Sequence, residues 1–196
     1  MITAPMNRRV LLFVAIWFVY YIGNYGWLTL APTLFTNKGY SLADSTTYLL
    51  VSGIGFLAGA YATTHFSDRF ERKYSTAISA VAWGISLLVI GLKVSPTIIS
   101  VFGFIASMTI GLLVPMLYTY TAEHFPTNAR ATGVALSDGL GHVGGAIAPL
   151  VVLGAYNAWG FASSFVVMAV SGFVAAALIL LGIQATGRSL ESAVTR

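Results

Sequence analysis

The amino-acid sequence predicts an all-α polytopic membrane protein with six transmembrane helices. Hydrophobic residues make up 57% of its 196 residues and charged residues only 8%. The mean hydropathy of +0.83 is higher than a protein with a largely water-exposed surface carries. The few charged residues separate apolar segments of about 20 residues or more, which is the length that an α-helix needs to cross a bilayer.

Six apolar segments are expected to cross the membrane as helices, because a backbone surrounded by lipid must satisfy its polar groups internally. The fifth and sixth segments share one long apolar stretch. We divide it at YNAWG, residues 156–160, where polar and aromatic residues suit a turn at the headgroup level. The six predicted spans are residues 10–36, 45–64, 74–92, 96–122, 131–155 and 160–183.

The positions of lysine and arginine predict how the helices are oriented. If the N-terminus lies in the cytoplasm, eight of the ten basic residues fall on the cytoplasmic side, and only Lys38 and Lys93 fall outside. This bias follows the positive-inside rule, so we expect a cell-membrane protein with both termini in the cytoplasm. The predicted parts are a cytoplasmic N-terminal segment (residues 1–9), a six-helix transmembrane bundle (10–185) and a cytoplasmic tail (186–196).

Glycine and proline spacing predicts how the helices pack and bend. Small residues four positions apart let two helices approach closely in lipid. A proline inside a helix removes a backbone donor and crowds the carbonyl four residues earlier, so it predicts a kink. The glycine pairs are Gly55 with Gly59 and Gly141 with Gly145, and the prolines are Pro32, Pro115 and Pro149.

An aspartate and a histidine lie in the fifth apolar segment, within ALSDGLGHVGGAIAPL. Asp138 and His142 are four residues apart and therefore share one face of a helix. If that helix begins near Ala131, they lie about 10 Å and 16 Å into the bilayer. Ionisable groups at that depth are costly and commonly functional, so we expect a proton-coupling or anion-binding role. The alternative is a hydrogen bond that joins two helices.

Two cytoplasmic loops carry most of the remaining charge. The first, HFSDRFERKY, has five charged side chains, and Asp68 is expected to pair with arginines there. In the second, YTAEHFPTNARATG, Glu123 ends one helix and Arg130 begins the next, with Thr127 as a candidate N-cap. For the first loop, the alternative is that its basic residues only set the orientation of the helices in the membrane. For the second loop, the alternative is a capped turn with a surface ion pair that contributes little to stability. The candidate gating charges are Asp68, Arg69, Arg72, Glu123 and Arg130.

These loops resemble motifs of the major facilitator superfamily of transporters. DRFERK resembles its D-R-x-G-R-K loop. AEHFPTNARATG resembles the A-E-x-F-P-T-x-x-R-x-x-G junction after the tenth helix of the sugar-porter and metabolite:proton symporter branches. TGRSLES (186–192) is similar to their G-R-S-L-E ending, and YYIGNYGWLTLAPTLFTNKGYS (20–41) to their seventh helix. The resemblance covers essentially the whole chain, as the C-terminal half (helices 7 to 12) of a twelve-helix fold.

The resemblance implies a substrate site near the bilayer midplane, between two six-helix halves that expose it to each side in turn. This chain would supply one wall from its first, fourth and fifth helices. Related transporters often have Asn-x-x-x-Arg where this chain has Asp138 and His142, so a titratable group replaces an anion-binding arginine. Many membrane tyrosines simply pack between helices. The candidate substrate-binding residues are Tyr20, Tyr21, Asn24, Tyr25, Tyr118 and His142.

The leading hypothesis is half of a proton-coupled secondary transporter for a small polar metabolite, in particular an organic anion. A sugar is the second candidate. It is less favoured because sugar porters have Gly-Pro-x-x-Trp in the tenth helix, whereas this chain has VPMLY there. A third possibility is a truncated or partner-dependent fragment that does not transport. Expected partners are the substrate, the proton, the bilayer, and either a complementary N-terminal six-helix half or a second copy of this chain.

The sequence does not suggest an enzyme. An intramembrane serine protease needs a nucleophile in a sharp turn beside a base, and Ser52 and Ser171 precede glycines without that frame. The chain has no cysteine, which excludes disulfides and thiolate metal sites. We expect no cofactor, no metal and no nucleic-acid partner.

Overall fold

The computed structural model describes residues 4–67 and 69–184, and most of these residues are helical. Six of the described segments are long and apolar enough to cross a membrane, which confirms the predicted fold class. The helices are α1 (Ala4–Tyr25), α2 (Ala31–Asn37), α3 (Leu42–Phe66), α4 (Arg72–Leu92), α5 (Pro96–Glu123), α6 (Arg130–Trp159) and α7 (Phe161–Ile179).

The first span is interrupted rather than continuous. A π-helical turn, Gly26–Leu30, joins α1 to α2, and all three lie in one span. Pro32 lies in the first turn of α2 and has no backbone N–H to donate within the helix. The wider π-helical turn before it accommodates the missing hydrogen bond. Pro115 and Pro149 lie inside α5 and α6, which continue past them as helices. Kinks at these two prolines stay predictions.

The division between the fifth and sixth spans is confirmed, but the break is shorter than predicted. α6 continues to Trp159, so the interruption falls on Gly160 rather than across residues 156–160. Gly160 has a φ of 86°, a left-handed conformation that glycine adopts without steric cost. One residue in this conformation is enough to reverse the chain, and no longer turn is needed. At its other end, α7 stops at Ile179 instead of continuing to residue 183.

Glycines allow close packing between α3 and α5, as their spacing predicted. A Cβ added to Gly55 would collide with the carbonyl oxygen of Phe104, and one added to Gly59 would collide with that of Met108. From the other side, a Cβ on Gly111 of α5 would collide with the backbone of α3. The two backbones are therefore in direct contact, the arrangement that replaces hydrophobic driving force in lipid.

The same packing brings α1 against α6. A Cβ on Gly141 would collide with the Trp17 side chain, and one on Gly144 with the carbonyl oxygen of Phe18. Gly145 faces the Tyr25 ring, with its missing Cβ position 2.6 Å from a ring carbon. The close approach predicted at Gly141 and Gly145 is thus confirmed, and Gly144 adds a contact that the spacing did not predict.

The spans differ in how much of their surface the bundle covers. α1 contacts α6 and α7, and α4 packs on both α5 and α7. The buried shares of α3 and α6 are only 22% and 33%, against 44% to 56% for the other spans. The open surface of the bundle therefore lies along α3 and α6.

Gly59 gives a direct test of the α3–α5 contact. We expect Gly59→Ala to lower the free energy of unfolding by about 1–3 kcal/mol, because the new methyl group must displace the α5 backbone. Thermal unfolding of the detergent-solubilised chain measures this change. The matched control is Gly154→Ala, since a Cβ there has nothing within 4 Å. Equal melting temperatures for the two variants would contradict the contact.

Candidate functional site

A polar cluster lies where α1 crosses α6. The Tyr21 hydroxyl donates a hydrogen bond to Oδ1 of Asp138 at 2.5 Å. The same carboxylate oxygen lies 3.4 Å from Nδ1 of His142. The Tyr21 ring lies against the His142 ring, with centroids 3.9 Å apart. We call these three residues the polar cluster; they come together because the glycines of α6 leave α1 room to approach.

Aromatic residues of α1 and α5 surround the polar cluster. Trp17 stacks on Tyr21 with ring centroids 5.4 Å apart. Tyr118 of α5 contacts Trp17, with ring centroids 4.5 Å apart. Tyr25 lies one turn farther along α1, with its ring 6.3 Å from that of His142. The structure thus brings four of the six predicted binding residues to one place, together with Asp138.

The His142 imidazole can accept a proton on its outer nitrogen. Its Nδ1 lies 2.9 Å from the backbone carbonyl oxygen of Asp138. A carbonyl only accepts, so Nδ1 carries the hydrogen and Nε2 is the basic nitrogen of the neutral ring. The side chain of His142 is 43% exposed and that of Asp138 is 24% exposed. A proton on Nε2 would create an imidazolium that can donate to an anion, with the Asp138 carboxylate balancing its charge.

The two other predicted binding residues, Tyr20 and Asn24, are buried and do not face the open side of the polar cluster, although the Tyr20 ring lies 5.2 Å from that of Tyr21. Tyr20 is 1% exposed, and its ring contacts Trp83 of α4 at 5.6 Å. It precedes Tyr21 by one residue, which turns it about 100° around the helix and into the core. Asn24 is also buried, and its Oδ1 has no hydrogen-bond partner within the part of the chain that the structure describes. Neither residue lines an open surface.

Glu123 is paired across helices rather than within its own loop. It forms an ion pair with Arg72 at the start of α4, and both side chains are nearly buried. The sequence had placed Glu123 opposite Arg130, but Arg130 donates instead to the Thr127 hydroxyl at 3.2 Å. The reason is that α5 ends beside the start of α4. The Glu123 carboxylate is removed from water there, and a buried carboxylate is stable only when a cation such as Arg72 pairs with it.

The remaining loop predictions have different outcomes. Thr127 does not cap α6, which begins after Ala129 without a side-chain cap. Arg69 is exposed at the surface of the first loop. Asp68 lies outside the described residues, as does the C-terminal tail from residue 185.

His124, which sequence reasoning missed, clamps the chain after α7 onto the end of α5. Its Nδ1 donates to the carbonyl of Tyr120 at 2.7 Å, and its Nε2 accepts from the backbone N–H of Ile183 at 3.0 Å. Both ring nitrogens are thus satisfied in the neutral form. Burial lowers the pKa of His124 to about 4; Arg9 and Lys73 act in the same direction, and the bond to the Tyr120 carbonyl opposes them. The i, i+4 spacing with Tyr120 was visible in the sequence, but the partner 59 residues later was not.

Comparison with known proteins agrees with this architecture. The family model described as the Major Facilitator Superfamily matches residues 12–195. The niacin transporter NiaP of Acinetobacter baylyi is 33% identical over 187 residues, which are 94% of this chain and 43% of that protein. The benzoate transport protein of the same organism is 29% identical over 141 residues, which are 71% of this chain and 29% of that protein. The chain spans less than half the length of the curated relatives it matches.

A solved structure shares the fold. The xylose transporter XylE from E. coli, in its inward-open conformation, matches with a TM-score of 0.60 at 20% sequence identity. The match covers 94% of this chain and 49% of XylE. The resemblance to the superfamily, inferred from the loop motifs, is therefore confirmed, and so is the expectation that the chain is not an enzyme, because these relatives are transporters. That the chain is the C-terminal half stays a prediction.

The His124 clamp predicts a pH dependence of stability. The pKa falls from an ordinary 6.5 to about 4 in the folded chain, so the folded state favours neutral His124. Its contribution is complete above pH 6.5 and is lost as the pH falls toward 4, by up to about 1.4 kcal/mol per pH unit. Thermal unfolding between pH 7.5 and about 4 measures this loss.

The matched variants are His124→Gln and His65→Gln. Glutamine can still accept from the Ile183 N–H, but it does not titrate, so His124→Gln should flatten this part of the profile. His65 is exposed at the end of α3, and its replacement should leave the profile unchanged. A wild-type profile that is retained in His124→Gln would assign the dependence to another group.

Proposed function

Because the chain belongs to the Major Facilitator Superfamily, we propose that it is the C-terminal half of a proton-coupled secondary transporter that carries a small organic anion by alternating access. Niacin and benzoate, named for two relatives, are both carboxylic acids on an aromatic ring. This favours a carboxylate over a sugar, and so does the replacement of the sugar porters' Gly-Pro-x-x-Trp by VPMLY. The match to XylE, at 20% identity, bears on the fold alone.

The observation that carries the proposal is the polar cluster on the open side of α6. A protonated His142 would pair with the substrate carboxylate, so the proton and the anion would enter the site as a neutral couple. Release of the anion on the other side of the membrane would let the proton leave as well. Tyr25 and Tyr118, which lie beside the cluster, would contact the ring of the substrate.

A second six-helix unit would complete the site. The open faces of α3 and α6 would otherwise meet lipid, and His142 is unfavourable there as an ion. The occupant is an N-terminal half or, as the alternative, a second copy of this chain. The remaining alternative is that the chain is a fragment that does not transport. A transport assay of the assembled protein tests this alternative.

The arginines support a cytoplasmic location for both termini, in the cell membrane. Arg9 of α1 donates to the carbonyl oxygen of His124 at the end of α5, and Arg72 pairs with Glu123. Basic residues of two spans thus meet the end of a third, α5, at one end of the bundle, as the positive-inside rule requires of the cytoplasmic side. We propose that Arg72 with Glu123 holds this end of the half together, while Asp68, Arg69 and Arg130 contact the other half when the cytoplasmic side is closed.

Replacement of His142 tests the proposal. We expect His142→Gln to reduce uptake of radiolabelled benzoate or niacin, driven by a pH gradient, by about tenfold or more, because a charge-assisted hydrogen bond contributes about 1.5–3 kcal/mol. Glutamine keeps a polar side chain but cannot carry the proton. His65→Gln is the matched control, since it removes a histidine that lies outside the polar cluster. Gradient-driven uptake that survives unchanged in His142→Gln would refute proton coupling at this residue.

A further inference from the structure

One carbonyl of α5 is bonded from another helix instead of its own. Pro115 lies inside α5 and has no backbone N–H, so it cannot donate to the carbonyl oxygen of Gly111, four residues earlier. The hydroxyl of Thr63, on α3, donates to that oxygen at 3.2 Å. Both Gly111 and Thr63 are buried, where a carbonyl without a donor is costly. The Thr63 hydroxyl therefore replaces the N–H that Pro115 lacks.

The Thr63 hydroxyl is shared between two carbonyls, and only the one on α5 depends on it. The hydroxyl also lies 3.0 Å from the carbonyl oxygen of Gly59, on its own helix. That oxygen has the backbone N–H of Thr63 as its ordinary donor within α3. The carbonyl of Gly111 has no such donor, because the residue four positions later is Pro115. Loss of the hydroxyl would thus leave a buried carbonyl of α5 unsatisfied.

Pro115 separates two parts of α5 that contact different helices. Before Pro115, the carbonyl oxygens of Phe104 and Met108 lie directly against glycines of α3. After Pro115, Thr121 accepts a hydrogen bond from Nε1 of Trp17, on α1, at 3.2 Å. The direction that α5 takes at Pro115 therefore sets how the contacts with α3 are placed relative to those with α1.

Tyr118, which lies beside the polar cluster, belongs to the second part of α5. It follows Pro115 by three residues, and its ring lies 4.5 Å from that of Trp17. Trp17 in turn stacks on Tyr21. A change in the direction of α5 at Pro115 would move Tyr118 relative to these two rings.

We propose that Thr63 is a positioning residue for the candidate site. By donating to the Gly111 carbonyl, it fixes the direction of α5 at Pro115 and so places Tyr118 beside the polar cluster. Thr63 acts only through the α5 backbone and does not touch the cluster. The role of Tyr118 rests on the proposed function, whereas the effect of Thr63 on α5 does not.

Four substitutions separate this role from a general loss of a buried hydroxyl. Thr63→Val removes the hydroxyl and keeps the size and branching of the side chain, and Thr63→Ser keeps the hydroxyl. Pro115→Ala restores an N–H that can bond to the Gly111 carbonyl, so it should make the Thr63 hydroxyl unnecessary. Thr109→Val is the matched control, because the buried Thr109 hydroxyl donates within α5, to the carbonyl of Ala106 at 2.7 Å.

Spin labels on introduced cysteines can report the arrangement of the two parts of α5. The chain has no cysteine, so Leu11→Cys on α1 and Tyr61→Cys on α3 would be its only labelling sites. Both residues are exposed, at 67% and 70%. Leu11 follows the second part of α5, since Arg9 donates to the carbonyl of His124 at the end of that helix. Tyr61 follows the first part, which packs on α3.

The experiment measures the distance distribution between the two labels by pulsed electron paramagnetic resonance, on the full chain in lipid nanodiscs. The part of α5 after Pro115 is about 12 Å long, so a change in direction of roughly 15° displaces its end by about 3 Å. We expect Thr63→Val to shift the mean distance by about 3 Å. Thr63→Ser and Thr109→Val should keep the wild-type distribution. In the Pro115→Ala background, Thr63→Val should add no further shift.

A reference pair checks that the labelled chain stays folded. Leu11→Cys with Leu181→Cys joins α1 to the exposed chain after α7, which His124 ties to the end of α5 through the N–H of Ile183. Because both labels follow the second part of α5, their distance should be the same in every variant. A change in this reference distance as large as that in the first pair would mean a general loss of packing and would overturn the inference.

Three further outcomes would also overturn it. The first is an unchanged Leu11–Tyr61 distance in Thr63→Val. The second is an equal shift in Thr109→Val, and the third is a shift in Thr63→Val that persists in the Pro115→Ala background. These contacts lie within the chain, so the measurement needs neither a substrate nor a second six-helix unit. If uptake survives in His142→Gln while the expected shift is found, the proton-coupling proposal alone fails; the converse result refutes only the inference about Thr63.

Discussion

The direct contact between the backbones of α1 and α6 is the constraint on which the candidate site depends. In lipid, a helix gains little by burying apolar side chains, so helices associate where small residues allow their backbones to touch. Gly141 and Gly144 provide that contact here. His142 lies between these two glycines in the sequence, so the contact that holds the helices together also brings its imidazole ring against Tyr21. A change in the glycine packing of this part of α6 would therefore also move His142.

The end of the bundle at which Arg9, Arg72 and His124 meet is stabilised by a different kind of contact. There the helix ends leave backbone carbonyls without intrahelical partners, and buried side chains satisfy several of them. The Tyr120 hydroxyl lies 3.2 Å and 3.0 Å from the carbonyl oxygens of Ile179 and Ile183. Arg9 and His124 add bonds between the ends of α1, α5 and the chain after α7. This end of the half is held by hydrogen bonds, whereas its middle is held by glycine packing.

The sequence predicted the spans, the glycine contacts and the Asp138–His142 pair, because each depends on spacing within one helix. It did not predict that Tyr21 rather than Tyr20 reaches Asp138, since this depends on the rotation of α1 relative to α6. Nor did it predict that Glu123 selects Arg72 over Arg130, or that His124 reaches Ile183. In these cases the partner lies 51 to 117 residues away. No pattern within a single segment encodes such a choice, which is settled only when the helices pack.

The π-helical turn in the first span has a consequence for how this protein could diversify. A π turn holds one more residue than an α turn, so everything beyond it is rotated by about 100° relative to a continuous helix. Tyr21 precedes this turn and contacts Asp138, whereas Leu34 and Phe35 follow it and lie in the core. An insertion or deletion at this turn is therefore expected to change which side chains of α2 face the core while Tyr21 stays beside Asp138.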